Sequence, residues 1–194
     1  MATTEQFKAD LRKLALQRRD ALSAKVRQDA AETVALRDFP IEIKPGAVVS
    51  GYSPLQSEIN PVPLLRKLAD KGAQLALPVV VGRGKPLTMR AYTFGQQLGK
   101  GVWGIREPLP DAPEVFPDIL IVPLAAFDRK GNRIGYGAGY YDLTINRLRL
   151  LNNAVIAVGL AYRTQESPAV PATPRDARLD FVLTERETIK CHRT

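Results

Sequence analysis

The sequence predicts an α/β fold with a mainly parallel sheet flanked by helices, built as a single domain over residues 1–194. Three observations lead there. Short β-rich runs alternate with stretches of helical periodicity, the pattern of an α/β domain. The run Asp118-Ile119-Leu120-Ile121-Val122 reads as a buried strand. The chain has 194 residues, 45% hydrophobic and 25% charged, enough to cover a sheet on both faces with ordinary globular composition.

The elements follow in order. Thr3 and Gln6 have capping-box spacing, so a first helix starts near Thr3, with Phe7, Leu11, Leu14 and Ala15 expected inward. A second helix is expected over residues 23–36, with Val26, Ala30, Val34 and Ala35 inward, and Phe39-Pro40 stops it. Residues 47–52 read as a buried strand. Pro61 and Pro63 open a helix to about Lys71, ended by Gly72. Residues 74–81 are a strand whose Pro78 argues for an edge or a bulge. Further strands are expected at 87–92, 118–122, 154–161 and 179–183, with a helix over 140–150. Segments 82–86 and 108–117, rich in Pro and Gly, read as surface loops. Ligands in such folds sit beyond the C-terminal ends of the strands.

Composition excludes several chemistries. One cysteine, Cys191, makes no internal disulfide, and one histidine, His192, leaves no Cys/His cluster for zinc and no triad unless the tail reaches the centre. Residues 1–12 lack a signal-peptide apolar core, and the longest apolar run, 119–127, is too short to span a membrane. A cytoplasmic, soluble protein is expected, with no membrane partner and a monomeric state. The net charge of +8 fits nucleic acid, anionic lipid or a polyanionic small substrate. Basic residues are scattered and not interleaved with aromatics, so nucleic acid is not favoured.

The densest signal is residues 127–142, FDRKGNRIGYGAGYYD. Gly135, Gly137 and Gly139 alternate, which lets backbone approach a ligand and adopt positive φ. A helix starts at or just after Gly139, and its free N–H groups and dipole form an anion site. Arg133 adds a fixed positive charge. The spacing is neither a Walker A loop nor the dinucleotide fingerprint. A lone glycine triplet is more often a tight turn; here the flanking Arg133, the helix and Asp142 favour phosphate. A carboxylate at the position of Asp142 can hold Mg2+ against phosphates or simply favour the helix dipole.

At these residues the chain resembles the 5-formyltetrahydrofolate cyclo-ligase family, also called methenyltetrahydrofolate synthetase. The family hallmark Pro-x-x-Ala-Phe-Asp-x-x-Gly-x-Arg-x-Gly-x-Gly-x-Gly-Tyr-Tyr-Asp runs here from Pro123 to Asp142. Tyr52-Ser53-Pro54 leading to Glu58-Ile59, Trp103-Gly104-Ile105-Arg106-Glu107-Pro108 and Thr184-Glu185 are similar to other family segments. One departure stands out: many bacterial members carry Arg after Tyr-Tyr-Asp, where this chain has Leu143. The resemblance implies a NagB/RpiA/CoA-transferase-like α/β fold, with ATP, Mg2+ and a reduced folate as ligands.

The implied reaction is ATP-dependent cyclisation of 5-formyltetrahydrofolate to 5,10-methenyltetrahydrofolate through a phosphorylated formyl group, releasing ADP and phosphate. This is an ATP-dependent ligase chemistry that forms a C–N bond. By resemblance, Lys8, Arg12, Arg133, Ile134, Gly135, Tyr136, Gly137, Ala138, Gly139, Tyr140 and Tyr141 take ATP. Ser53, Glu58, Trp103 and the loop residues Tyr136 to Tyr140 take the folate. Asp142 and Asp176 take the metal, and Arg133, Tyr140 and Asp142 act in catalysis. Read from spacing alone, several of these have plainer alternatives. Lys8 and Arg12 share a helix face, and such like charges destabilise a helix by roughly 0.2–0.5 kcal/mol unless an anion lies between them. Two solvated surface residues would look the same. Glu58 suits the donor-rich edge of a pterin or a loop N-cap. Trp103 stacks on the folate or is an ordinary core aromatic. Asp176 alone reads as a loop aspartate. Two other functions stay open at this point: a paralogue using ATP on another substrate, and a basic nucleic-acid-binding protein.

Overall fold

In the computed structural model, which describes residues 3–152 and 154–191, the chain begins with two helices, α1 (Thr4–Asp20) and α2 (Ala24–Leu36). There follow β1 (Val48–Ser50), α3 (Val62–Asp70), β2 (Gln74–Val79), β3 (Thr88–Tyr92), β4 (Leu98–Lys100) and β5 (Arg106–Pro108). The second half holds β6 (Ile119–Pro123), β7 (Ala126–Phe127), β8 (Arg133–Ile134), α4 (Tyr140–Leu151), β9 (Ile156–Leu160), β10 (Phe181–Leu183) and β11 (Thr188–Lys190). His192 lies outside the described residues.

Seven strands form one sheet in the order β11-β10-β9-β6-β1-β2-β3. The five central strands pair in parallel, and only the edges β3 and β11 are antiparallel. The predicted α/β class with a mainly parallel sheet therefore holds. In β6, successive side chains serve opposite faces. Ile119 and Ile121 join the core under α2 and α3, while Leu120 and Val122 join the core under α4. Both faces are covered, which is why this strand is apolar throughout.

From β1 the chain passes through α3 to β2 on one side. From β6 it passes through α4 to β9 on the other. The switch point thus falls between β1 and β6, and the segments leaving their C-terminal ends are 51–61 and 124–139. A ligand crevice belongs there.

Several expectations need correcting. In α1, Phe7 and Leu14 are 55% and 54% exposed. The inward residues are Lys8, Ala15 and Arg19, with Leu11 and Arg12 partly covered. The helix lies across the β7–β8 hairpin and the neighbouring loops rather than on the seven-stranded sheet; Ala15 and Leu11 meet a small apolar cluster there, and Lys8 and Arg19 are buried against polar partners. In α2, Val26 is exposed, and Ala31 takes the inward place beside Ala30 and Val34. Strand β2 is interior rather than an edge. Pro78 sits beyond Ala76, the last residue paired with β1, so its missing N–H removes no bond to that neighbour. Segment 74–81 ends early, at Val79.

Two small hairpins, β4–β5 and β7–β8, were not foreseen, because strands of two or three residues carry no readable period. The turn of β7–β8 is built by Asp128. Its carboxylate accepts from the backbone N–H of Lys130 and Asn132, from Asn132 Nδ2 and from Val170 N–H, all at 2.9–3.0 Å. Gly131 closes the turn at φ +84°, and a Cβ there would lie 2.4 Å from the carbonyl oxygen of Leu179. Gly131→Ala is expected to cost roughly 1–3 kcal/mol of stability through backbone strain, with the collision added. Urea unfolding checks this: the midpoint should fall with the slope unchanged.

Candidate active site

The β7–β8 hairpin exists to deliver Arg133. Its guanidinium is buried below the glycine turn and donates through Nη2 to Asp142 Oδ1 at 2.8 Å. The same oxygen accepts the N–H of Ala177 at 2.9 Å, which ties α4 to the segment carrying Asp176. Burial lowers the Arg133 pKa from its ordinary value, and the Asp142 charge opposes that. The guanidinium remains a cation regardless. Its Nε has no partner among the described residues.

Above it, the loop from Gly135 to Gly139 is open to solvent. Gly137 (φ +98°) and Gly139 (φ +71°) take left-handed backbone that side chains rarely adopt. Gly139 is the N-cap of α4, and no side chain caps it. The first-turn N–H groups of α4 therefore face the loop with the positive end of the helix dipole behind them. A cradle of this kind can accept an anion.

Helix α1 closes the cradle. Arg12 Nε donates to the Gly135 carbonyl at 2.7 Å, and its guanidinium lies beside Gly137. Lys8 Nζ donates to Asp176 Oδ2 at 2.6 Å. Asp176 also accepts from Thr173 N at 2.6 Å and Thr173 Oγ1 at 3.0 Å. Burial alone would raise the Asp176 pKa, but the bonds from Lys8 and Thr173 outweigh it and hold the carboxyl below its usual range.

The other wall comes from segment 51–61 and the β4–β5 hairpin. Ser53 Oγ donates to the Arg106 carbonyl at 2.6 Å, which fastens the two together. Glu58 is buried, and its Oε2 accepts the N–H of Leu55 at 2.7 Å. Burial raises its pKa, against the Leu55 bond, the charge of Arg19 and a hydrogen bond with Tyr136. Trp103 is 64% exposed with φ +57° and tilts toward Tyr140, ring centroids 6.1 Å apart. It is not a core aromatic. Tyr141 packs against the core under α4, and burial pushes its phenol pKa up strongly. Leu143 is exposed and brings no cation.

Lys8, Arg12, Arg133, Tyr136, Tyr140, Asp142 and Asp176 are thus brought around one loop, with Glu58 reaching it through Tyr136. Ile134 packs inward with Ala15, and Ala138 stays on the exposed loop. Sequence reasoning missed Arg19, Ser57 and Thr173. Arg19 was readable: it lies eleven residues after Lys8 and seven after Arg12, on the same helical face.

A doubly wound α/β sheet with an open glycine loop leading into an uncapped helix at its switch point defines the class of the protein. Residues 4–185 match the sequence model of the 5-formyltetrahydrofolate cyclo-ligase family, and the chain belongs to that family. It is 34% identical to the 5-formyltetrahydrofolate cyclo-ligase of Mycolicibacterium smegmatis, covering 94% of this chain and 95% of that one. It is 31% identical to the Haemophilus influenzae enzyme of the same name, over 92% and 96%. Among solved structures it resembles the Aquifex aeolicus 5,10-methenyltetrahydrofolate synthetase, with TM-score 0.77 and 31% identity over 97% and 94% of the two chains. Among the described residues, no helix is long and apolar enough to cross a membrane.

The Lys8–Asp176 contact has a pH signature. A carboxyl depressed on folding contributes stability that is complete above its unfolded pKa of about 3.9 and lost as pH falls through the folded value. Asp176→Asn should therefore be less stable than the parent at pH 6, with the gap closing as pH falls below about 4. Urea titrations of both proteins at each pH check this; a gap independent of pH would contradict the ion pair.

Proposed function

We propose that this protein catalyses the ATP-dependent cyclisation of 5-formyltetrahydrofolate to 5,10-methenyltetrahydrofolate, with release of ADP and phosphate. Membership of the cyclo-ligase family supports the reaction. The observation that carries the site is the convergence of Lys8, Arg12 and Arg133 on an uncapped glycine-to-helix turn.

In this reading the β- and γ-phosphates of ATP lie on residues 134–141, held by backbone N–H groups and the three cations. The folate occupies the wall formed by Ser53, Glu58, Trp103 and the loop residues Tyr136, Gly137, Ala138, Gly139 and Tyr140. Glu58 suits the N–H-rich edge of the pterin, because an ionised carboxylate only accepts. Trp103 offers an exposed ring face to an aromatic portion of the substrate.

The formyl oxygen attacks the γ-phosphorus and displaces ADP. The neighbouring folate amine then attacks the activated carbon, loses its proton, and phosphate leaves as the imidazoline ring closes. Such transfer requires alignment and charge neutralisation more than covalent help from the protein. The chain fits that demand. Its one thiol, Cys191, is buried and its pKa is pushed up to about 12, so it is not poised as a nucleophile.

Mg2+ fits the donors present. Asp142 makes its hydrogen bonds through Oδ1 and Asp176 through Oδ2, so each keeps its second oxygen. Two hard oxygen ligands, completed by phosphate and water, suit Mg2+, which needs no larger protein cluster. Bound there, it supplies charge neutralisation to the transferring phosphoryl group.

The direct test mixes the protein with 5-formyltetrahydrofolate and MgATP and follows methenyltetrahydrofolate by absorbance. Product should appear only when all three are present. No product from protein that demonstrably binds ATP would overturn the proposal. Arg133→Ala should raise KM for ATP about tenfold or more, and that for folate much less. Asp142→Asn should lower kcat on the order of a hundredfold and weaken the Mg2+ dependence. Kinetics with each substrate varied in turn check both.

A further inference from the structure

Arg19 is the one fully buried cation of α1, with no measurable side-chain exposure, and the reaction as described does not use it. Its Nε donates to Ser57 Oγ at 2.8 Å, and its Nη2 donates to the Tyr136 hydroxyl at 2.7 Å. Ser57 in turn donates to Asp20. The guanidinium also lies 5.6 Å from the Tyr136 ring centroid. Nη1 is buried and has no partner among the described residues. A guanidinium stays charged in proteins, and a buried charge with incomplete pairing is costly unless the surroundings hold opposite charge. The nearest carboxylate, Asp20, is 3.7 Å away and largely solvated, so it compensates little.

The remaining compensation is Glu58. It sits one residue after Ser57, is buried, and interacts with both Arg19 and the Tyr136 hydroxyl. Tyr136 belongs to the glycine loop, and Glu58 to the segment leaving β1. Arg19 therefore grips one residue from each wall of the crevice. A lysine at this position would keep the charge but lose the planar fork that spans Ser57 and Tyr136 together.

We propose that Arg19 is a positioning residue for the folate subsite: it fixes the Tyr136 hydroxyl against Glu58 and supplies the buried positive charge that faces this carboxylate. The proposal rests on the reading that Glu58 receives the folate. It explains how a carboxylate removed from water stays able to accept N–H groups. Burial raises the Glu58 pKa, while Leu55 N–H, Arg19 and Tyr136 oppose that rise. The other groups facing Glu58 are the phenols of Tyr52, Tyr141 and Tyr162, which are raised by burial and bring no positive charge. Removing Arg19 therefore leaves nothing cationic in that set, and Glu58 protonates at higher pH.

The test measures kcat/KM for 5-formyltetrahydrofolate against pH, and KM for MgATP, in the parent, Arg19→Gln, Arg19→Lys and Tyr136→Phe. Arg19→Gln should raise the folate KM about tenfold or more, leave the ATP KM within about twofold, and move the acid limb of the profile to higher pH. Arg19→Lys should raise the folate KM but keep the acid limb near the parent's. Tyr136→Phe should also raise the folate KM and move the acid limb to higher pH by less than Arg19→Gln does, because the hydroxyl's hydrogen bond is lost while the charge remains. A parent-like folate KM in Arg19→Lys, or equal losses for both substrates with an unmoved acid limb, would overturn the positioning role. Should Arg19→Gln fail to fold, the Lys and Phe variants decide the matter by the same criteria. Glu58→Gln separates the two levels: a parent-like folate KM there would overturn the reading of Glu58 itself, whatever the Arg19 variants show.

Discussion

The structure depends on how the cations of α1 find oxygen partners. Lys8, Arg12 and Arg19 face inward at helical spacing, and none can be buried there without an acceptor. Each acceptor lies in a different segment: Asp176 before β10, the Gly135 carbonyl in the glycine loop, and Ser57 with Tyr136 on the two sides of the switch point. Leaving one such cation unpaired after removal of its partner costs several kcal/mol. The helix therefore docks in one register only, and in doing so it fixes the segments that build the site.

Apolar packing contributes less here than elsewhere. Ala15 and Leu11 meet Ala126, Ile134 and Val170 in a cluster separate from the two large cores. A helix held mainly by polar contacts opens at lower free energy than core elements do. That suits a site that must admit two substrates and release three products. The outward face, with Phe7 and Leu14 in water, is the consequence of turning the cations inward.

Much of the fold was legible in the sequence. Residues 118–122 announced a strand buried on both faces because nothing polar interrupts Ile119 to Val122. Pro61, Pro63 and Gly72 punctuated α3 closely, since each residue has few other uses there. What misled was the rule that apolar residues mark the buried face: in α1 much of the burying surface is polar, offering Asp176, the Gly135 carbonyl, Ser57 and Tyr136, so charge joined hydrophobicity as the signal. The glycine loop was legible as an open turn into a helix start, and the family hallmark was legible as the family. Tertiary contacts such as Ala177 N–H to Asp142, or Arg19 to Tyr136 across 117 residues, leave no local trace. The short hairpin that carries Arg133 was invisible for a different reason: two-residue strands are set by the Asp128 turn rather than by periodicity.

In the proposed reading α1 and the glycine loop form one phosphate site. Amide hydrogen exchange with MgATP and no folate tests it most directly. Exchange should slow together in residues 134–142 and in the first three turns of α1. Saturating nucleotide that leaves α1 unaffected, or that protects only the groove between α2 and α3 lined by Glu32, Arg66 and Lys67, would contradict it.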